Sequence, residues 1–368
     1  MNIGILRESE RREKRIPLTP SSIQSLIEDG HTVFFQAGAG EGAGYHDEEF
    51  SKVGAHKVYS EDEAIVRSDI ILKISSLSEN QVKRLRENQV IFAFHHMAVA
   101  KRSLVEELLN KKVIAIGYEI IQDDRGTLPC LVLMSEIAGA MVPIIAGHYL
   151  QSDRGGKGLL LGGITSVPPA TVMIIGCGVV GKSAARACLD LGAHVIVLDK
   201  DLNKLKQLEE STSKTVITAL ANPYNISKYI QYADVLIGSI LIPGERAPKV
   251  VTKEMIKSMK PGAVIIDISI DQGGCIESSR PTTIEDPIYT YDEKIHYCVP
   301  NIPSVVSRTA SIGLSNVLCP YVEAIADMNI DEALRKEKCL ARGVYLYKGK
   351  CVREGICELF DLEYTELF

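Results

Sequence analysis

Three glycines, Gly176, Gly178 and Gly181, follow the apolar run of residues 172–175 in G-x-G-x-x-G spacing and precede an alanine-rich segment typical of a helix. In such a strand–turn–helix unit the first glycine permits a sharp turn, the second lets a pyrophosphate approach the backbone, and the third lets the helix lie close to the strand. The helix N-terminus offers unpaired N–H groups and a positive dipole end to phosphate. The motif indicates a dinucleotide-binding turn; a glycine-rich turn needed only for packing is the alternative.

An acidic side chain ends the next apolar run, residues 194–198, which predicts a second strand of the same unit. Asp199 lies 18 residues after Gly181, close to the spacing of about 20 residues expected for the carboxylate that accepts hydrogen bonds from the adenosine ribose hydroxyls. An ionised carboxylate at this position repels a 2′-phosphate, so the sequence predicts NAD in preference to NADP. Lys200, the next residue, opposes this preference slightly.

Side chains that can move a proton follow other predicted strands. His95 and His96 come directly after residues 90–94, and Asp271 follows residues 263–268. Ligands of open α/β sheets collect at the carboxyl ends of the parallel strands, and these positions therefore favour a functional role. The alternatives are a hydrogen-bonded structural histidine and, for Asp271, a turn or helix cap.

Strands and helices that alternate along the chain must position these side chains, and this alternation is typical of parallel sheets. A long alanine- and glycine-rich helix is predicted at residues 135–150 and an amphipathic helix at residues 312–326. Asn301 and Pro303 mark a rigid loop after the last strand, for which a turn between domains is the alternative. The predicted strands are residues 2–6, 32–36, 70–74, 90–94, 113–118, 172–175, 194–198, 215–218, 235–240, 263–268 and 295–299.

The 368 residues exceed one ordinary domain. The second half of the chain has six predicted strands, enough for a complete doubly wound sheet, and a dinucleotide-binding Rossmann domain is expected at residues 134–304. Residues 1–133 and 305–368 are expected to form one discontinuous catalytic domain, with the active site in the cleft between the two domains. The predicted fold class is α/β, with two doubly wound Rossmann-like domains.

Composition restricts the partners and the location. A net charge of −6 provides no basic surface for nucleic acid. The nine cysteines are scattered without a C-x-x-C pair, and no secretory signal is present at the N-terminus, so a reduced, cytoplasmic protein is expected. Since the most apolar segment, residues 137–150, contains Pro143 and His148, no membrane span of about 20 residues is predicted. No metal site is predicted.

Taken together, these segments resemble the alanine dehydrogenase family, which shares its fold with the nucleotide-binding part of the proton-translocating transhydrogenase α subunit. The absence of a predicted membrane segment favours the soluble dehydrogenase. The resemblance implies an NAD-dependent oxidoreductase with a small amino- or oxo-acid substrate, assembled as a hexamer. Besides the glycine motif, it rests on RE at residues 7–8, EKR at 13–15, LTP at 18–20, QAGAG at 36–40, MSEIAG at 134–139, VIIDISIDQGGCIESSR at 264–280 and NIP at 301–303.

The resemblance also implies roles for individual residues. Arg15 would hold the substrate carboxylate through its bidentate fork, and His96 and Asp271 would transfer protons. Lys204 stands where relatives commonly have arginine. Contact with NAD, or a place in the lining of the cleft, is implied for Ser135, Gly176, Gly178, Val179, Val180, Gly181, Asp199, Lys204, Ile240, Leu241, Ile242, Pro243 and Asn301.

At the end of the strand that precedes His96, this chain departs from the family pattern. Relatives read K-V-K-E-P where this chain reads KISSL at residues 73–77, and the second lysine of the family binds the carbonyl or carboxylate oxygen of the substrate. Ser75 replaces it, which removes a charge-assisted contact of roughly 1.5–3 kcal/mol. Lys73 lies on the same strand face and is within reach as a substitute, although relatives have this lysine too.

Three functions follow from the resemblance and its departure. The first is an NAD-dependent dehydrogenase that interconverts L-alanine with pyruvate and ammonia. The second keeps this chemistry but acts on a bulkier 2-oxo acid, an opine-like imine or a cyclic imine, because Ser75 and the changed loop at residues 302–306 suggest more room. The third is a catalytically weakened NAD-binding homologue that acts as a sensor or an assembly subunit.

Overall fold

A computed structural model describes residues 1–9, 13–213, 215–241 and 246–368. The described chain divides into two compact units. Unit 1 comprises residues 1–133 and 304–368, and unit 2 comprises residues 134–303. The chain returns to unit 1 at residue 304, one residue before the position expected from the sequence.

The N-terminal part of unit 1 alternates strands with helices. Its elements are β1 (Asn2–Ile5), α1 (Pro20–Glu28), β2 (Thr32–Gln36), α2 (Asp47–Lys52), β3 (His56–Val58), α3 (Glu61–Arg67), β4 (Ile70–Ser75), α4 (Glu79–Lys83), β5 (Val90–Phe94), α5 (Arg102–Asn110) and β6 (Ile114–Gly117). Helix α6 (Pro129–Tyr149) follows, with its first five residues in unit 1 and the rest in unit 2. The six strands are parallel in the order β3-β2-β1-β4-β5-β6. The order reverses between β1 and β4, the point at which open α/β sheets bind ligands.

Unit 2 repeats this arrangement. Its elements are β7 (Thr171–Ile175), α7 (Val179–Asp190), β8 (His194–Asp199), α8 (Leu202–Ser211), β9 (Ile217–Leu220), α9 (Pro223–Ile230), β10 (Val235–Gly238), α10 (Lys253–Lys257), β11 (Val264–Asp267), β12 (Ile288–Tyr291) and β13 (Lys294–Tyr297). Six strands are parallel in the order β9-β8-β7-β10-β11-β13, and β12 pairs antiparallel with β13 at the edge. The edge strand β12 was not predicted, because its four residues are only partly buried and carry a weak apolar signal.

The C-terminal tail returns to unit 1 as α11 (Ser307–Met328), α12 (Ile330–Lys336), α13 (Lys338–Ala341), β14 (Val344–Tyr347), β15 (Lys350–Cys351) and α14 (Glu354–Phe360). Strand β14 pairs antiparallel with β6, β15 pairs antiparallel with β14, and the two extend the sheet to eight strands. Lys348 and Gly349 connect β14 to β15 with positive φ angles of 49° and 86°, as a tight hairpin turn requires. These strands were missed, since the sequence predicted only helices and a charged tail here.

Both faces of the unit 2 sheet are buried. Along β7, Val172 and Ile174 belong to one hydrophobic cluster, whereas Met173 and Ile175 belong to another. Successive side chains of a strand point to opposite faces, so helices cover the sheet on both sides, as in a doubly wound fold. The predicted fold class, α/β with two doubly wound Rossmann-like domains, is confirmed.

Helix α6 begins six residues earlier than predicted. Its 21 residues have a mean hydropathy of 1.9 over an 18-residue window, so by length and composition alone it could cross a membrane. From the sequence, residues 137–150 were expected to be the longest apolar segment, and the apolar helix is longer than that. A single helix of this kind is weak evidence for a span, because the core helix of a soluble protein has the same composition. Val142 and Ala146 of α6, and Leu150 directly after it, are fully buried in the unit 2 core.

Candidate active site

The turn between β7 and α7 has the geometry that its glycine spacing requires. Gly176 has φ +104°, in the region that favours glycine. A Cβ atom at Gly181 would lie 1.9 Å from the carbonyl oxygen of Gly176, so only glycine lets the helix approach the strand this closely. At Gly178, the residue that precedes α7, a Cβ atom would meet no heavy atom within 4 Å. This open position beside a helix N-terminus fits a bound pyrophosphate.

Asp199 connects the end of β8 to the same turn. Its side chain is only 8% exposed. One carboxylate oxygen accepts a hydrogen bond from the Cys177 backbone N–H at 2.5 Å, and the other accepts one from the Asp201 N–H at 2.9 Å. A carboxylate has about four acceptor positions, so these two bonds leave acceptor capacity for ribose hydroxyls. Asp199 therefore also stabilises the turn itself, which the sequence did not indicate.

The end of β10 adjoins this turn, since β7 and β10 are neighbouring strands. Ser239 is buried, and its hydroxyl lies 3.0 Å from the carbonyl oxygens of both Ile175 and Gly176. The Ile240 N–H donates to the hydroxyl of Ser269 at 2.8 Å. Leu241 is 54% exposed. The other two predicted residues of this segment, Ile242 and Pro243, lie outside the described residues.

Two helices carry the remaining predicted cofactor contacts. Ser135 is half-buried on α6, and Lys204 is exposed on α8. Helix α6 packs closely against the first turn of α7. A Cβ atom at Gly139 of α6 would lie only 2.5 Å from the carbonyl oxygen of Val180. Val179, next to it, is 38% exposed. The structure therefore places Val179 and Val180 at the helix N-terminus.

The loop after β11 holds Asp271 beside Asn301. Asp271 is exposed, and its Oδ1 accepts the backbone N–H of Asn301 at 3.1 Å, where Asn301 has φ +55°. Buried Asp267, at the end of β11, accepts the N–H groups of Cys275 and Ile276 at 3.1 and 3.2 Å and so fixes the loop. Burial raises the pKa of Asp267 above its ordinary value. The sequence predicted Asp271 and Asn301, but not their contact or the role of Asp267.

In unit 1, Arg15 and His96 lie against the same aromatic ring. The His96 ring stacks on Phe94 with centroids 6.0 Å apart, and the Arg15 guanidinium lies 5.6 Å from the Phe94 centroid. The guanidinium also forms two hydrogen bonds with buried Glu13, Nε–Oε1 at 2.8 Å and Nη2–Oε2 at 2.6 Å. His96 is exposed, whereas Arg15 is buried. The structure therefore brings together a fixed cation and an accessible imidazole.

Lys73 and Ser75 meet Glu8 at the point where the strand order of unit 1 reverses. Lys73 is 1% exposed, and its ammonium lies 2.9 Å from Glu8 Oε2 and in contact with the Ser75 hydroxyl. The Ser75 hydroxyl also contacts Glu8, whose other oxygen accepts the Ile74 N–H at 2.6 Å. Lys73 thus reaches the position of Ser75, but its charge is balanced by Glu8. The sequence did not predict Glu8 as a partner.

The neighbouring His95 is buried, and its Nε2 lies 3.5 Å from the Ile91 carbonyl. Burial lowers its pKa.

The nine cysteines are free thiols, and eight of them are buried. Within the described ranges, no group of three or more His, Cys, Asp or Glu side chains is arranged to hold a metal ion.

Comparison with known proteins covers both units. The models "Alanine dehydrogenase/PNT, N-terminal domain" and "Alanine dehydrogenase/PNT, C-terminal domain" match residues 4–138 and 142–354. Alanine dehydrogenase of Halomonas elongata is 40% identical over 366 residues, which cover 100% of this chain and 98% of the relative. Alanine dehydrogenase of Mycolicibacterium smegmatis is 37% identical with the same coverage. A solved L-alanine dehydrogenase has a TM-score of 0.94 at 36% identity and covers 98% of this chain and 99% of its own.

Proposed function

The chain belongs to the alanine dehydrogenase/PNT family, and from that premise we propose that it is an NAD-dependent alanine dehydrogenase. It would convert L-alanine, NAD⁺ and water to pyruvate, ammonium, NADH and one released proton, and would catalyse the reverse reaction. The observation that carries the proposal is the similarity to alanine dehydrogenases over the whole chain. A cytoplasmic homo-oligomer, a hexamer, belongs to the same proposal.

The turn after β7 supports the choice of a dinucleotide. Gly178 leaves space next to the helix N-terminus, and the Asp199 carboxylate retains acceptor positions for ribose hydroxyls. A bound nicotinamide cofactor would supply the hydride acceptor. Asp199 would favour NAD over NADP by charge repulsion with a 2′-phosphate. Lys204, Ser135, Ile240, Leu241 and Asn301 are proposed as further contacts.

Three residues are proposed to bind the substrate and transfer protons: Arg15, His96 and Asp271. Arg15 is buried and held by Glu13, and its rigid fork suits a substrate carboxylate. The exposed imidazole of His96 would exchange a proton with the reacting nitrogen or oxygen. Asp271, held by the Asn301 N–H, would orient water and accept its proton.

The Lys73–Ser75–Glu8 contacts favour a second candidate, a bulkier 2-oxo acid, opine-like imine or cyclic imine as the substrate. A lysine at position 75 would add a charge beside Glu8, whereas the Lys73–Glu8 pair is balanced and Ser75 is short. Position 75 therefore contributes neither a net charge nor a long side chain. A substrate panel with NADH, with and without ammonium and alternative amines, separates the candidates. Full activity with pyruvate and ammonium would refute the second.

Two substitutions test the proposed roles. Arg15→Lys retains the charge but loses the fork, and Asp271→Asn loses the carboxylate, so each should lower kcat/KM for alanine by roughly 10²-fold or more. Arg84→Lys is the matched control for the first, because Arg84 makes only exposed ion pairs with Glu61 and Asp62. Thermal unfolding checks that each variant is folded. Turnover at the wild-type level in both site variants would contradict these roles.

A further inference from the structure

Glu119 lies directly behind His96. It follows β6 in a 3₁₀ turn, Tyr118–Ile120, and is 8% exposed. Its Oε1 accepts the backbone N–H of His96 at 2.6 Å and the hydroxyl of Tyr345 at 3.1 Å. Since β5, β6 and β14 are adjacent in the sheet, one carboxylate oxygen connects the end of β5 to β14.

The backbone of His96 needs such a support. His96 has φ +47° and ψ +45°, the left-handed conformation, which costs a non-glycine residue free energy and persists only where its surroundings impose it. The hydrogen bond to Glu119 is short and charge-assisted. Glu119 is therefore in a position to impose the conformation that directs the imidazole towards Phe94.

Tyr345 in turn holds Glu119. Its ring lies against Gly117, where a Cβ atom would be 2.4 Å from the ring, and edge-on to His95 with centroids 6.3 Å apart. Burial raises the pKa of Tyr345, so its hydroxyl stays protonated and donates to the carboxylate. The ring therefore has little freedom to move.

The polar atoms around this connection are not arranged for stability alone. Among the described residues, Glu119 Oε2 and His95 Nδ1 are buried without a hydrogen-bond partner. A buried unpartnered polar atom costs free energy. Both bonds of Glu119 are instead concentrated on the oxygen that holds His96.

We propose that Glu119 and Tyr345 are positioning residues for His96. Strand β14, through Tyr345 and Glu119, fixes the left-handed backbone of His96 and thereby the direction of its ring. This inference rests on the proposed function, in which His96 transfers a proton. It assigns a role to the C-terminal tail, which places Tyr345 in unit 1.

Tyr345→Phe and Tyr347→Phe form a matched pair for the test. Each removes one hydroxyl from β14 and one hydrogen bond to a carboxylate, but Tyr347 donates to Asp331 at 2.6 Å, away from Glu119. Tyr345→Phe should lower kcat for alanine roughly tenfold with the KM for NAD unchanged, whereas Tyr347→Phe should leave kcat at the wild-type value. Equal kcat in the two variants would overturn the role of Tyr345.

Substitutions of Glu119 test the acceptor. Glu119→Ala should lower kcat about 10²-fold, because a small displacement of a reacting group is enough for such a loss. Glu119→Gln should restore most of kcat, since an amide oxygen can accept the same two hydrogen bonds. If Glu119→Ala loses thermal stability but not kcat, or if Glu119→Gln is as slow as Glu119→Ala, the positioning role is wrong.

A spectroscopic readout separates this inference from the proposed function. With the eight histidines labelled with nitrogen-15, the His96 amide proton should resonate far downfield in the wild type, because it donates to a carboxylate at 2.6 Å. Tyr345→Phe should shift this resonance and Tyr347→Phe should not. If the resonance responds to the two substitutions as expected but the wild type does not turn over alanine, the proposed function fails and the positioning stands. If alanine is turned over and the resonance does not respond to Tyr345→Phe, the positioning fails alone.

Discussion

Replacement of Asp199 should change cofactor choice and stability together. The carboxylate accepts the N–H groups of Cys177 and Asp201 at 2.5 and 2.9 Å, and each such charge-assisted bond contributes roughly 1.5–3 kcal/mol. Asp199→Ala should therefore destabilise the protein by about 3–6 kcal/mol. It should also remove the acceptor for the ribose hydroxyls of NAD.

The magnitude of the cofactor preference follows from charge repulsion. Two unit charges about 4 Å apart at an effective dielectric constant of about 20 repel by about 4 kcal/mol, which corresponds to roughly 10³ in kcat/KM. Lys200 and Lys204 offset part of this repulsion, so the wild type should prefer NAD over NADP by about 10². Asp199→Ala should narrow the preference mainly by raising the KM for NAD.

Asp201→Ala is the matched control. Asp201 also holds a backbone N–H, that of Asn203 at 2.9 Å, as the N-cap of α8, but it is not the residue at the end of β8. The assay is kcat/KM for both cofactors at low salt, with urea unfolding of each variant. Asp201→Ala should keep the preference. Equal use of NAD and NADP by the wild type would show that Asp199 is not the ribose ligand.

Two further predictions concern buried ionisable groups. Glu8→Gln should destabilise the protein by about 3–5 kcal/mol in urea unfolding, because it leaves the buried ammonium of Lys73 without its carboxylate. The exposed pair Lys112–Glu87 provides the control, since Glu87→Gln should lower the free energy of unfolding by less than about 1 kcal/mol. Burial lowers the pKa of His296 to about 4 from 6.5. As the pH drops from about 6.5 towards 4, this histidine therefore binds a proton in the unfolded chain but not in the folded one. The free energy of unfolding should fall over this range by up to about 3 kcal/mol. The free energy of unfolding measured against pH should lose this slope in His296→Asn, and an unchanged slope would refute the assignment.

The sheets could be predicted from the sequence because their strands are apolar runs buried on both faces. Residues 32–36 and 90–94 were predicted with the observed bounds as β2 and β5. Short strands with mixed side chains were missed: His56–Val58 has two exposed residues, and Lys350–Cys351 has only two residues in all. Such strands form because a neighbouring edge is available, and local sequence does not report that edge.

The predicted site residues were located by motif and strand end, but their partners were not. Glu8 pairs with Lys73 and Tyr345 pairs with Glu119 only in the folded chain, across 65 and 226 residues of sequence, whereas Glu13 lies two residues before Arg15. No periodic pattern encodes such a pairing. Glu119 had a usable signal, because it follows a parallel strand at the same sheet edge as His96.

The central claim is the reaction itself. The most direct measurement is NADH oxidation by the purified wild-type chain with pyruvate, with and without ammonium, together with chiral analysis of the product. The proposal predicts that oxidation requires both pyruvate and ammonium and yields L-alanine in equal amount to the NADH consumed. Oxidation with pyruvate alone, or none with pyruvate and ammonium while another 2-oxo acid or imine is reduced, would contradict it.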